Sequence, residues 1–394
     1  MNETKHPQMN FGPTDLGLDS LPKVKSGPLI VIGTRPEAIK MAPIALELSR
    51  RQITATVLST GQHQEPVYRA LADLDVSAYV RQDVDRENGH LSDLYANLLR
   101  NISTEVRNLK PSVVLVQGDT MSALAGAHAS FLLGTPIGHV EAGLRTASIK
   151  EPFPEEANRR MISQLADYHF APTAATAALL AKEGHSNVLL TGNTVIDALQ
   201  RTAGRIDAQA LRTSDAQTLL VTLHRRESWE RGIRTISQAI KTFLSESPTW
   251  TCRFITHPNP AVQHTVKSIL GTHPRVTIEA DLGYIDFCSA MAGADLILTD
   301  SGGVQEEAPS LNVPVLVARN VTERIEGVAA GCLALCGTSY DGVLHSLRIY
   351  SDVTGLRYKA MASAPNPYGD GLASRRIVDF LTARALAKSN DLSA

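Results

Sequence analysis

The sequence is poor in the features that assign a protein quickly. Its four cysteines in 394 residues are too few for a disulfide framework. Cys332 and Cys336 stand close together in GCLALCG, but no second pair follows at zinc-ligand spacing. They read as buried apolar thiols. An excess of one charge is also missing, with 38 Lys and Arg against 40 Asp and Glu. That excludes the basic balance of a nucleic-acid binder, so an anionic ligand must be held by local cations. Apolar runs such as 113–116 are strand-length, far short of a membrane span. The first twenty residues contain no apolar stretch of the signal-peptide kind. A cytoplasmic chain without a membrane or nucleic-acid partner is therefore expected. GxGxxG does not follow the first apolar strand, which argues against a nicotinamide or flavin dinucleotide. GxxxxGK[ST] and HExxH are missing too, and lone histidines do not make a zinc site. Neither a metal nor a cofactor is expected, and the two halves of the chain show no residue-level repeat.

What is present is a rhythm. Residues 1–27 are rich in Pro, Gly, Asn and Asp and read as a mobile tail. Apolar strand-length runs then fall at 28–33, 53–60, 112–119, 136–143, 168–173 and 187–192. Helical stretches such as 41–51, 120–134 and 173–184 lie between them. The rhythm restarts with strands at 219–224, 251–257, 275–280, 295–300 and 314–319. Strands apolar throughout and alternating with helices predict parallel sheets covered on both faces. At this length and with 43% apolar residues, two α/β domains are expected. The first spans 28–195 and is completed by a C-terminal helix over 372–394; the second spans 196–371. Each reads as a doubly wound, Rossmann-like sheet.

The informative residues follow strand ends, where ligands sit in such sheets. Ser301, Gly302 and Gly303 turn the strand at 295–300 into a helix. They are either a tight capped turn or a place where backbone N–H groups meet an anion. Glu307, one turn on, can accept two ribose hydroxyls. In GTRPEAIK, Arg35 offers a planar fork suited to a diphosphate and Lys40 a point charge, unless both are solvated helix-start residues. Arg324 is either a third cation or an ordinary surface arginine. Asp119 ends VQGD, as a proton-transfer group or as the cap of the next helix. Glu155 and Glu156 open a helix, where acidic charge is favourable in any case. Glu141, in HVEAG, has no capping role to explain it. His224 and His257 follow strands, and His63 follows another in TGQH. His128 and His139 read as satisfied helix or core residues.

Taken in order, GTRPEAIKMAPI, TGQH, GDT, IGHVEAGLRT, PFPEEANRR, HFAPT, TGNTVIDAL, HRRES, HPNP, YIDF, TDSGGVQEEAPSL, PVLV, TERIEGV and NPYGDG resemble the non-hydrolysing UDP-N-acetylglucosamine 2-epimerases. They run from residue 33 to residue 371. The resemblance implies the GT-B architecture, with two Rossmann-like domains facing a cleft and the nucleotide held mainly by the second. It implies that Ser301, Gly302 and Gly303 hold a diphosphate, that Glu307 holds the ribose and that Phe287 flanks uracil. Arg35, Lys40, His224 and Arg324 would complete the anionic pocket. Asp119, Glu141 and Glu155 match the family's essential acids, with His224 beside them. The partners implied are UDP-N-acetylglucosamine and UDP, the assembly a homodimer. Some members carry a regulatory substrate site, to which Gln62 and His63 correspond. Glu65 and Asn88 depart from that pattern, and Asp281-Leu282-Gly283 departs from the usual segment before YIDF. A hydrolysing epimerase, a GT-B glycosyltransferase and a sugar-nucleotide-binding regulator remain alternatives at this level.

Overall fold

Short apolar strands dictate the architecture. The computed structural model describes residues 27–76, 79–84, 89–205, 216–223 and 231–391. The tail expected over 1–27 lies outside them except for Gly27, as do His224 and Asn88.

The first sheet contains β1 (Leu29–Ile32), β2 (Thr56–Ser59), β3 (Val80–Arg81), β4 (Val114–Gln117), β5 (Ile137–Val140), β6 (Tyr168–Ala171) and β7 (Val188–Leu190). Its order is β3-β2-β1-β4-β5-β6-β7, with parallel pairing. The second contains β8 (Gln217–Leu223), β9 (Trp250–Thr256), β10 (Val276–Glu279), β11 (Leu296–Thr299), β12 (Val315–Val317) and β13 (Leu333–Leu335). Its order is β10-β9-β8-β11-β12-β13, again parallel. Both orders reverse beside their first strand, between β1 and β4 and between β8 and β11. Those are the switch points where open α/β sheets leave a crevice.

Helices cover both sheets. In the first half they are α1 (Arg35–Arg50), α2 (Gln64–Asp73), α3 (Leu91–Leu109), α4 (Met121–Leu132), α5 (Glu155–Leu165), α6 (Ala174–Lys182) and α7 (Thr194–Ala203). The second half has α8 (Arg231–Glu246), α9 (Pro260–Leu270), α10 (Tyr284–Ala292), α11 (Gly302–Glu307), α12 (Ile325–Ala330), α13 (Tyr340–Tyr350) and α14 (Leu356–Ala362). The chain ends on α15 (Ala373–Asp391). No helix among the described residues is long and apolar enough to cross a membrane.

Side-chain alternation along β1 sets the layers. Ile30 and Ile32 pack with α1, whereas Leu29 and Val31 pack with α3 and α4. Helix α4 is built of small residues because it lies close to the sheet. A Cβ on Gly126 would come within 2.9 Å of Val116 and 3.3 Å of Val31. In the second sheet, Leu219 and Val221 pack with α8, α9 and α13. Leu220 and Ile297 instead join the apolar cluster that contains α1 and α7. One core therefore runs from the first sheet through α7 and α10 into the second.

Some expectations on elements shift. Helix α1 begins at Arg35, before the predicted 41, because its first turn is fixed by polar groups. Thr34 stands extended at the N-cap and the Glu37 carboxylate accepts its N–H at 2.7 Å. Strands β3 and β13 were not foreseen; at two and three residues they are too short to show periodicity. The four cysteines are free and buried.

Helix α15 packs on α1 and α7, carrying the chain's end back to the first sheet. Buried Asp197 in α7 holds its first turn. It accepts N–H bonds from Ala373 at 3.2 Å and Ser374 at 2.7 Å, and the Ser374 hydroxyl at 2.5 Å. Replacing Asp197 by Ala removes that cap and should lower stability by about 1–2 kcal/mol. Urea unfolding measures it, and an unchanged midpoint would mean that packing alone holds α15.

Candidate active site

Both switch points open onto one cleft. A cavity of about 600 Å³ lies there, lined from the first domain by Arg35, Pro36, Ile39, Lys40 and Val195. The second domain lines it with Thr222, His257, Pro258, Asp281, Tyr284, Phe287, the 301–304 turn, Glu307 and Arg324. Apart from His224, which lies outside the described residues, the candidates assigned to substrate binding from the sequence meet at one cavity: Arg35, Lys40, Phe287, Ser301, Gly302, Gly303, Glu307 and Arg324. Gln62 and His63 do not line it. Gln62 instead accepts the Ser122 N–H at 3.1 Å and hydroxyl at 2.7 Å, securing the start of α4.

The glycine turn is shaped by an arginine. A Cβ on Gly302 would lie 2.9 Å from the Arg324 guanidinium carbon. Glycine there lets the guanidinium pack against the turn.

Behind the cavity lies a knot of buried charge. Lys40 donates to Glu141 at 2.6 Å and to Glu306, across the cleft, at 3.4 Å. Arg324 pairs with Glu306 at 2.8 Å. Asn193, capping α7, donates to Glu306 at 3.0 Å and to Glu141 at 3.3 Å. Gln117 donates to the other Glu141 oxygen. Burial opposes the charge on Lys40, but Glu141 and Glu306 outweigh it and raise its pKa. The same balance raises Arg324, with Glu306 foremost among the carboxylates. Glu306 is pushed up by burial, yet Lys40 and Arg324 bring it below the ordinary carboxylate value.

Its neighbour Glu307 moves the other way. Consecutive helical residues point about 100° apart, so the two face different surroundings. Burial, reinforced by Glu306, pushes Glu307 up to about 8, and its Oε2 is buried without a hydrogen-bond partner.

The candidate acids Asp119 and Glu141 follow the strands β4 and β5 of the first sheet, and Glu155 opens α5. Asp119 was open to two readings, and Thr120 resolves them: its hydroxyl accepts the Ala123 N–H at 3.0 Å and caps α4. Asp119 is left to pair with Arg159 at 2.8 Å. Burial raises it to about 6 against the pull of Arg159, with Glu141 and Glu155 adding to the rise. Glu141 takes a left-handed backbone (φ 62°), a conformation that costs a non-glycine residue about 1–3 kcal/mol. Its network holds it there. Of the pair in PFPEE, Glu156 is structural, bonded to Arg159, Arg160 and the Thr146 N–H. Glu155 keeps a buried Oε2 with no partner.

Sequence reasoning missed Glu306, Asn193, Gln117 and Arg159. Each lies inside a stretch already singled out, and Glu306 stands directly beside Glu307. It also missed how the domains grip one another. Arg35 donates to Asp281 at 3.1 Å and to the Leu282 carbonyl at 2.9 Å. Asp73, at the end of α2, accepts the Tyr284 N–H at 3.1 Å. Among the described residues no group of His, Cys, Asp or Glu is placed to hold a metal ion.

Two parallel-sheet domains enclosing a cleft lined by basic groups and a glycine turn define a GT-B protein. The comparisons narrow this. A family model described as UDP-N-acetylglucosamine 2-epimerase matches residues 46–382. The UDP-N-acetylglucosamine 2-epimerase of Neisseria meningitidis is 38% identical over 366 residues, covering 90% of this chain and 98% of that one. The enzyme of that name from Bacillus subtilis is 40% identical over 359 residues, covering 90% and 94%. In structure, the chain resembles the N. meningitidis UDP-GlcNAc 2-epimerase bound to UDP-GlcNAc. The TM-score is 0.84 at 38% identity, over 91% of this chain and 100% of that one. It also resembles the Methanocaldococcus jannaschii UDP-GlcNAc 2-epimerase in complex with UDP-GlcNAc and UDP. Here the TM-score is 0.75 at 31% identity, over 91% and 99%. The chain belongs to the UDP-N-acetylglucosamine 2-epimerase family, as its ordered motifs imply.

The opposed shifts of Glu306 and Glu307 have a measurable consequence. Glu307 rises from 4.5 to about 8, so the native state keeps a proton that the unfolded chain releases. Its contribution to stability is full below about pH 4.5 and is lost as pH rises through about 8. The Glu307→Gln variant should therefore lose stability less steeply than wild type between about pH 5 and pH 8. Unfolding free energies from urea titrations at both ends measure this, and equal slopes would place Glu307 in a wetter setting.

Proposed function

We propose that this chain interconverts UDP-N-acetylglucosamine and UDP-N-acetylmannosamine without hydrolysing them, supplying an activated amino sugar for polysaccharide or secondary-metabolite synthesis. The observation that carries the reading is the layering of the site. A cavity with Arg35, Lys40 and Arg324 around a glycine turn suits a nucleoside diphosphate. Glu141 bonds Lys40 directly, and Asp119 lies near enough to feel the charges of Lys40, Glu141 and Glu155. Relatives of known structure bind UDP-GlcNAc and UDP.

The chemistry explains why both layers are needed. The hydrogen on C2 of the sugar is poorly acidic, because no carbonyl adjoins it. Breaking the C1–O bond, with its electron pair leaving on UDP, makes C1 electron-deficient and acidifies that hydrogen. A base removes the C2 proton, a C1=C2 double bond forms and 2-acetamidoglucal remains beside UDP. On return, a diphosphate oxygen of UDP adds to C1 and a proton reaches C2 from the opposite face. Ser301, Gly302 and Gly303 with Arg324 hold the diphosphate, Glu307 takes the ribose and Phe287 flanks the base. Positive groups set around the departing oxygen stabilise the charge that develops there. Asp119, Glu141 and Glu155 form the acid–base set. Asp119, raised to about 6, changes its proton near neutrality, as such a role requires. His224 is assigned to the same set but lies outside the described residues. Arg35 and Asp73, gripping the segment before α10, keep the cleft closed while the glycal is unprotected from water.

Incubation with UDP-N-acetylglucosamine in D₂O tests the whole scheme. Deuterium should enter C2 of both epimers; one-for-one build-up of free UDP and sugar would instead mark a hydrolase. In Asp119→Asn and Glu141→Gln, turnover should fall by at least about 10²-fold while UDP binding persists. Near-normal turnover in either variant removes that residue from the set.

A further inference from the structure

Glu37 is a fully buried carboxylate that the mechanism above does not use. Its Oε2 accepts the Gly33 N–H at 3.0 Å, the Thr34 N–H at 2.7 Å and the Thr34 hydroxyl at 2.8 Å. Its Oε1 accepts the Thr120 hydroxyl at 2.7 Å. A helix start needs only part of this. The first three bonds cap α1; the fourth reaches a different strand end, 83 residues on, at the residue next to Asp119. Thr120 in turn accepts the Ala123 N–H and so fixes where α4 begins. One carboxylate thus joins the segment that carries Arg35 and Lys40 to the turn that carries Asp119.

The Asp119 turn is held from its other sides as well. His139 on β5 lies 2.8 Å from the Gly118 carbonyl, which can only accept, so its Nε2 carries the proton. Burial drives the His139 pKa down to about 3, so the ring stays neutral. Asn158 of α5 donates to the Asp119 carbonyl at 2.8 Å. Gly118 adopts φ 67° between those contacts. Of these anchors, Glu37 alone also belongs to the anion-binding segment.

We propose that Glu37, acting through Thr120, is a positioning residue for epimerisation: it sets the distance between the Asp119 carboxyl and the diphosphate-binding start of α1. Elimination breaks the bond at C1 and removes the proton at C2 of one sugar, so the group holding the diphosphate and the group moving the proton must keep a fixed separation. A carboxylate suits the link because it accepts at both oxygens. Burial raises Glu37 to about 7, an effect that its four donors partly offset. An amide there would have to donate to the Thr120 hydroxyl oxygen, which reverses the link, whereas a residue without a hydroxyl at 120 cuts it.

This inference rests on the function proposed above, and the experiment separates the two. The variants are Glu37→Gln, Thr120→Val, Thr120→Ser and the double variant Glu37→Gln/Thr120→Val. In Thr120→Val, kcat should fall roughly 10- to 100-fold, the scale expected when a reacting group shifts by about 1 Å. In Glu37→Gln, which reverses the link without cutting it, the fall should be smaller. The Kd for UDP should stay within about threefold, since the second domain holds the nucleotide. Thr120→Ser keeps the hydroxyl and should retain wild-type kcat. The double variant should be little worse than Thr120→Val, because that variant already cuts the link. If Glu37→Gln fails to fold, Thr120→Val against Thr120→Ser carries the comparison alone. A second readout needs no turnover: carbon NMR of the Asp119 carboxyl should find its titration moved from about 6 in Thr120→Val and unmoved in Thr120→Ser. Wild-type kcat with an unmoved Asp119 titration in Thr120→Val would overturn the proposal. So would a loss confined to UDP affinity. Failure of the wild type to exchange C2 hydrogen in D₂O would instead overturn the function, leaving the Asp119 titration to judge the link.

Discussion

The site depends on how four charges are buried together. Lys40, Glu141, Glu306 and Arg324 lie in a region that water scarcely reaches, where an unpaired ion would cost several kcal/mol. The pairing divides between the domains. Lys40 and Glu141 neutralise each other on the first domain, and Glu306 and Arg324 do so on the second. The bond across the cleft, Lys40 to Glu306 at 3.4 Å, is longer than either internal pair. Separating the domains would therefore strand no charge, and bringing them together adds a contact without creating the need for one. That arrangement lets a cleft be both charged and able to open. Asn193 serves the same end, because an amide can bridge Glu141 and Glu306 without disturbing the balance.

From this knot the roles of the surrounding carboxylates follow. Glu306, held by both Lys40 and Arg324, stays below the ordinary carboxylate value. Glu307 is raised by burial and by Glu306, and Asp119 is raised by burial in spite of its pair with Arg159. Adjacent residues in one short helix thus acquire opposite characters, Glu306 as a fixed anion and Glu307 as a group that holds its proton near neutrality. Glu141 adds a further constraint, since its strained backbone is tolerated where Lys40, Asn193 and Gln117 all converge on its side chain.

Much of this was legible in the sequence, because strand ends at switch points are local features. Runs such as 28–33 and 295–300 are apolar throughout, and the polar residues after them fall into the cleft by topology alone. Short edge strands such as β3 were not legible, since two residues carry no period. Asp119 shows a different limit. Residue type alone allowed it to cap α4, and only geometry shows Thr120 doing so. The contacts across the cleft were the least legible. Arg35 to Asp281 and Asp73 to Tyr284 join residues more than 200 positions apart, and no local pattern announces such a pair. Glu306 was hidden for a simpler reason: in QEE the two carboxylates are alike in type and differ only by direction around the helix.

The return of α15 to the first domain bears on how the molecule is made. Ile377, Val378 and Leu381 belong to the same apolar cluster as Ile30 and Ile32, and Phe380 meets Phe170 edge-on at 5.7 Å and Tyr168 at 5.2 Å. The second domain is thus an insertion within the first. On the ribosome, β1 to β7 emerge before the second sheet, and the helix that packs on their core is translated after it. The inserted domain, continuous in sequence, can complete its own sheet while its host still waits with an apolar face uncovered. Domains ordinarily fold in the order of synthesis. Here the sheet that emerges first depends on a helix made after the whole inserted domain, and a chain stopped before residue 373 would leave that apolar face uncovered.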